Sequence, residues 1–193
     1  MLSSLAALDS IDLDVLEGIE AELPTDDVRL HTGAADVIAR LSTVRLARAE
    51  PGLEQARLHE RLSWAATRAD REAEALAHPE EAVRLYRETA AGDPAQRFPY
   101  ATALTRLGSL YLTHSQPARG VALLREAAGV LRAMGEDDPS AVAGLARLNE
   151  LLAMRLLQAG QPDEALAVVQ DTEQLYDRLS DRAAWRPADA RCR

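Results

Sequence analysis

The sequence contains no lysine, one phenylalanine (Phe98), one asparagine (Asn149) and one cysteine (Cys192). A lone cysteine forms no internal disulfide and cannot supply a thiolate metal set. Cys192 lies in a segment with no rigid neighbours, so a cysteine–histidine nucleophile is not expected. Apolar stretches long enough to cross a bilayer are missing. So are the basic start and apolar run of a signal peptide. A cytoplasmic location with no membrane partner is the expectation. Bases are scarce as well: the formal net charge is −9. A nucleic-acid binder shows a basic face, so no nucleic-acid partner is expected.

Chemistry is sparse too. Neither a G-x-x-x-x-G-K loop nor a G-x-G-x-x-G turn occurs, which leaves no phosphate cradle. The histidines are His31, His59, His78 and His114. No two stand at i, i+3 or i, i+4, the spacing that puts metal ligands on one helix face. Glu80-Glu81 and Asp137-Asp138 are adjacent acids, but paired carboxylates catalyse only where burial separates their pKa values. These pairs read as helix-start and loop acids. No catalytic residue, cofactor or metal is expected.

What is present is helix-forming. Ala, Leu, Arg and Glu dominate, and all four have high helix propensity. The first 28 residues are acidic throughout, from Asp9 to Asp27, before the first base at Arg29. Such a run suits solvated helix faces and helix N-termini. Asp9 or Ser10 is expected to cap a helix reaching Glu22. Pro24-Thr25 would then turn the chain, with Thr25 as the next cap and a second helix running to about Ala49.

An internal repeat organises the rest. EEAVRLYRETAAGDP (80–94) is matched 45 residues later by REAAGVLRAMGEDDP (125–139), and PDEALAVVQDTEQLYDRLSD (162–181) follows as a third unit. Residue sizes agree at the same spacing. Ser63, Gly108 and Ala153 are all small, as are Ala75, Gly120 and Ala165. Leu62, Leu107 and Leu152 are all leucine, and Tyr86, Leu131 and Tyr176 are large. Small residues recur where helices approach closely and large ones where gaps need filling. Each unit reads as helix A, turn, helix B. Breaks are expected near 23–25, 50–53, 69–71, 92–96, 115–117, 136–140 and 159–161. Pro117 and Pro162 open helices at first-turn positions. Pro79 falls inside a helix B, and a kink or break is expected there.

In the middle unit Leu104, Leu107-Gly108 and Tyr111 on helix A, with Gly120, Leu124 and Ala127 on helix B, resemble the tetratricopeptide (TPR) pattern. The 45-residue period and the EEAVxLYR and GDP or DDP phrases look like the long TPR arrays of actinobacterial regulatory and signalling proteins. The all-arginine basic set fits a GC-rich coding bias of that kind. The resemblance implies an all-α solenoid of about four antiparallel hairpins in a right-handed superhelix. Its parts would be an N-terminal hairpin (1–52), three repeats (53–94, 95–139, 140–181) and a tail (182–193).

It also implies function: a scaffold or adaptor holding a protein or peptide in a concave groove, and not an enzyme. The alternatives are a regulatory domain responding to a signalling peptide, or a helical accessory to an enzyme. In the family the A helices line the inner wall. On the register of Gly108 the inward positions are Arg57, Glu60, Trp64 and Thr67, then Thr102, Thr105, Ser109 and Leu112, then Arg147, Glu150, Met154 and Leu157. Trp64, Arg57 and Arg147 are the anchors of choice, because tryptophan and arginine often dominate binding energy. The family's clamp for acidic C-terminal peptides uses Lys, Arg and Asn, and without Lys it is not expected here. The last helix, with Val168, Val169, Leu175 and Leu179, would leave an apolar outer face, and a homodimer through that C-terminal end is expected.

Overall fold

The computed structural model describes residues 12–22, 31–114, 116–135 and 138–184. Among them the chain is helical, with no strand: α1 (Leu13–Ala21), α2 (His31–Leu46), α3 (Leu53–Arg68), α4 (Glu72–Gly92), a 3₁₀ turn (Pro94–Gln96), α5 (Arg97–Thr113), α6 (Pro117–Met134), α7 (Pro139–Gln158) and α8 (Pro162–Ala184). The turns at Pro24-Thr25 and Ser115, the Thr25 cap, Trp185 and Cys192 lie outside the described residues. α8 continues to Ala184, into the stretch assigned above to the tail. None of these helices is long and apolar enough to cross a membrane. The chain divides into two compact units, residues 1–96 and 97–193.

In the first unit α1 packs on α2, α2 on α3, and α3 pairs with α4. Leu16, Val37 and Leu41 form the α1–α2 core, flanked by Leu13 and Ile19. The cap of α1 is Asp12, whose side chain accepts from the Asp14 amide; Asp9 and Ser10, the caps expected above, lie outside the described residues. The acidic start is partly neutralised inside the fold. Glu17 pairs with Arg45 at 2.8 Å, and Glu20 reaches both Arg45 and Arg61. Arg71, just before α4, reaches back to Asp36 on α2 at 2.9 Å.

Pro79 does not break α4, which runs without interruption from Glu72 to Gly92. Proline has no N–H to give the carbonyl four residues earlier, here that of Ala75. The buried Ser63 hydroxyl on α3 donates to that carbonyl at 3.2 Å. The lost intrahelical bond is thus replaced from the neighbouring helix.

In the second unit α5 pairs with α6, α6 packs on α7, and α7 pairs with α8. Leu104, Leu124 and Leu156 are fully buried there, and each such side chain contributes roughly 1.5–3 kcal/mol. Pro117, Pro139 and Pro162 each begin a helix, where a missing N–H costs nothing. Asp138 caps α7 by accepting from the amides of Ser140 and Ala141. The matching Asp93 caps the 3₁₀ turn instead, accepting from the Ala95 amide and the Gln96 side chain. Those bonds hold its carboxyl below the usual range.

The repeat is also written in backbone bonds. Arg71 donates to Ala66, Gln116 to Tyr111, and Gln161 to Leu156, each at 2.9 Å and each 45 residues from the last. These are the bonds that close a helix through a left-handed residue. Asp70 (φ 57°) and Gly160 (φ 72°) are those residues in the first and third units.

Where the A and B helices cross, side chains nearly vanish. A Cβ on Gly108 would stand 3.0 Å from the Gly120 carbonyl oxygen. One on Gly120 would stand 2.6 Å from the Leu112 side chain and 2.8 Å from the Gly108 carbonyl. Ser63 with Ala75, and Ala153 with Ala165, occupy the same crossings in the other hairpins, all four buried.

Candidate binding surface

The twelve inward positions lie on three A helices, with α3 in the first unit and α5 and α7 in the second. On α3, Arg57 and Thr67 are exposed, while Glu60 and Trp64 are half-buried. The Arg68 guanidinium sits over the Trp64 ring at 5.3 Å, a cation–π distance that offers an indole face with charge beside it.

Glu60 is engaged: the Tyr86 hydroxyl of α4 donates to its carboxylate at 3.0 Å. The pair recurs in the third unit, where the Tyr176 hydroxyl of α8 donates to Glu150 at 2.6 Å. That contact pushes the Tyr176 hydroxyl pKa up, since the bond and the adjacent negative charge favour the protonated phenol. In the middle unit the two positions are Thr105 and Leu131, and no such pair forms. Both glutamates therefore tie helix A to helix B in their hairpins.

On α5 the polar positions turn inward on their own helix. Thr102 donates to the Phe98 carbonyl, Thr105 to Ala101 and Ser109 to Thr105. On α3, Thr67 does the same to Ser63. Such back-bonding leaves each hydroxyl one proton short as a donor. Leu112 is half-buried against Gly120. α5 accordingly presents methyl groups and small side chains more than hydrogen-bond donors. It touches α7 where the Phe98 ring abuts Gly144.

On α7 all four positions are exposed: Arg147, Glu150, Met154 at 48% and Leu157 at 59%. Two large apolar side chains thus stand in solvent beside an arginine. The opposite side of α7 is a polar lock. The fully buried Asn149 donates to Asp171 of α8 at 2.9 Å, and Arg132 of α6 donates to the same carboxylate at 2.7 Å. Burial pushes the Asp171 pKa up, but these two bonds outweigh it and hold it below the usual range. Arg125 of α6 grips Glu164 of α8 with both carboxylate oxygens in reach.

One feature escaped the residue pattern. His59 on α3 and His78 on α4 bring their Nδ1 atoms to 3.1 Å, with ring centroids 5.3 Å apart. They are 19 residues apart in the chain, so no helical spacing rule pairs them; only the antiparallel hairpin does. Among the described residues no group of three or more His, Cys, Asp or Glu side chains is placed to hold a metal. An apolar outer face on α8 is expected from the sequence and Val169 lies on it, but its other members differ. Leu166, Val169 and Tyr176 are exposed there, whereas Leu175, assigned to that face above, is buried; the Leu179 side chain lies outside the described residues.

No protein-family model matches the sequence, and no curated protein matches it. Among solved structures the chain is similar to the crystal structure of MamA, at 15% identity and a TM-score of 0.58, over 95% of this chain and 88% of that one. The similarity, with helices paired as antiparallel hairpins throughout the described residues, shows the fold to be that of a TPR-like helical solenoid.

Proposed function

We propose that the chain is a non-catalytic protein-interaction scaffold that holds a peptide or protein segment against its A-helix faces. Met154 and Leu157, exposed beside Arg147 on α7, carry the proposal. Large apolar side chains left in solvent next to a charge are the makings of an anchor site for a peptide with apolar and charged residues. Trp64 under Arg68 on α3 is a second anchor of the same kind. The net charge of −9 favours a protein over a nucleic acid. On this proposal the functional repeats are 53–94, 95–139 and 140–181, with 1–52 as an N-terminal hairpin. Within the second unit the back-bonded hydroxyls of α5 leave the apolar and charged positions of α7 to supply most of the affinity.

The test is a peptide selected from a displayed random library against the full chain, then titrated against point variants. Trp64→Ala or Arg147→Ala is expected to weaken binding by at least ~1 kcal/mol, about fivefold, with the helical spectrum unchanged. Unchanged affinity in the folded double variant would remove the A-helix faces from consideration.

A further inference from the structure

Positions that are covered in one repeat are bare in the next. On α6, Val121, Leu124, Ala128 and Leu131 fall at i, i+3, i+7 and i+10, one face of the helix. None is more than 6% exposed. α7 packs on α6, and a Cβ at Gly144 would stand 3.7 Å from the Leu131 methyls. Forty-five residues on, Leu166, Val169, Glu173 and Tyr176 hold the same four positions on α8. Here Leu166 is 58%, Val169 41% and Tyr176 43% exposed, and among the described residues no helix follows α8 to cover them. Leu124 also faces Gly108 on α5, so α7 covers the Leu131 end of this face, and a helix lying on α8 as α7 lies on α6 would cover the Tyr176 end.

Charge selects which helix. Where α6 carries Ala128 and Arg132, α8 carries Glu173 and Asp177, four residues apart on the exposed face. The other acids of α8 near α6 are already held, Glu164 by Arg125 and Asp171 by Arg132. Glu173 and Asp177 form no ion pair among the described residues. A second copy would set this acidic face against its like, in a chain of net charge −9. We propose that the exposed face of α8 is a docking surface for a basic amphipathic helix of a partner protein, its apolar seam on Leu166, Val169 and Tyr176 and its bases opposite Glu173 and Asp177. Apolar anchors at helical spacing give such a contact its affinity, and the two carboxylates give it its sign preference. The surface is distinct from the A-helix faces and does not depend on them.

The probe is a pair of labelled peptides with the sequence of residues 139–158, the segment that covers this face in the preceding repeat. One carries Glu150→Arg and is basic; the other carries Arg147→Glu and Arg155→Glu and is acidic. Both are titrated by fluorescence anisotropy against the full chain. The basic peptide is expected to bind about tenfold tighter than the acidic one, and Leu166→Asp to weaken it by about tenfold. Glu173→Arg with Asp177→Arg should reverse the preference, while Trp64→Ala should change nothing. Circular dichroism establishes that each variant is folded. Equal binding of the two peptides, no binding by either, or a Leu166→Asp variant that binds as the parent does would overturn the proposal. So would a dimer of the unliganded chain in sedimentation velocity that Leu166→Asp dissolves, since the occupant would then be a second copy. Loss of the A-helix faces as a binding site would show instead as insensitivity of a library-selected peptide to Trp64→Ala and Arg147→Ala.

Discussion

The hydroxyl of Ser63 on α3 donates to the carbonyl of Ala75 on α4 across 3.2 Å, inside the first hairpin. Pro79 makes that bond necessary, because it removes the N–H that would otherwise satisfy Ala75. The other hairpins have Gly108 and Ala153 at the serine position, and they have Leu124 and Val169, not proline, four residues after the small crossing residue. Ser63→Ala is expected to cost about 1–3 kcal/mol, the penalty of a buried acceptor left without a donor. In a Pro79→Ala background the restored N–H should cut that cost sharply. Urea unfolding of the four proteins in the cycle measures it. Equal costs in both backgrounds would mean that Ser63 does not compensate for the proline.

Two glycines of α6 should respond to alanine with opposite signs. Ala is the better helix former by roughly 1 kcal/mol, so an unobstructed Gly→Ala change stabilises. Gly129 has nothing within 4 Å of its would-be Cβ, so Gly129→Ala should raise the melting temperature. Gly120 would meet the Gly108 carbonyl at 2.8 Å and Leu112 at 2.6 Å, and a backbone oxygen cannot swing aside. Gly120→Ala should therefore be destabilising by about 1–3 kcal/mol, as should Gly108→Leu. Thermal melts that shift the same way for Gly120→Ala and Gly129→Ala would refute the close crossing.

Asp70 adopts a left-handed conformation, φ 57°, at the position where the third unit has Gly160. A side chain there is strained by roughly 1 kcal/mol, and glycine is not. Asp70→Gly should stabilise the chain by about 0.5–1 kcal/mol, and Gly160→Ala should destabilise it by a similar amount. Chemical unfolding of each single variant gives the comparison.

The His59–His78 contact makes stability depend on pH. Burial, and then the neighbouring His78, hold the His59 pKa below the ordinary 6.5, with Arg84 adding to this and Glu81 opposing it. Burial lowers His78 in the same way, partly offset by Glu74. The unfolded chain, with both imidazoles near 6.5, takes up protons first as pH falls. The contribution is thus fully present above that value and is lost as pH drops through it toward the folded-state values. The urea midpoint is expected to fall between pH 7 and pH 5, and His78→Gln should flatten that decline. A midpoint with the same pH slope in the variant would exclude the pair as its source.

The period of the chain was enough to locate the turns near 69–71, 92–96 and 159–161, because each rests on local chemistry. Proline at a first helical position and a helix-closing residue just after the last apolar turn act on their own neighbours, whatever surrounds them. The small residues at Gly108, Gly120 and Ala165 were legible for a related reason: a repeated crossing requires the same small volume each time. Other features needed two helices side by side. His59 meets His78, Ser63 meets Ala75, and Glu60 and Glu150 are taken by Tyr86 and Tyr176, in each case across a hairpin. Pro79 shows the limit most directly: the local rule predicts a kink or a break, the helix runs on unbroken, and the Ala75 carbonyl that the proline leaves free accepts from a hydroxyl of α3. Which face of α8 stays bare was decided in the same way, with Leu175 turned into the hairpin and Leu166, Val169 and Tyr176 turned out. Spacing along one helix says which residues share a face, and only the helix packed against it determines whether that face is buried, bonded or left for a partner.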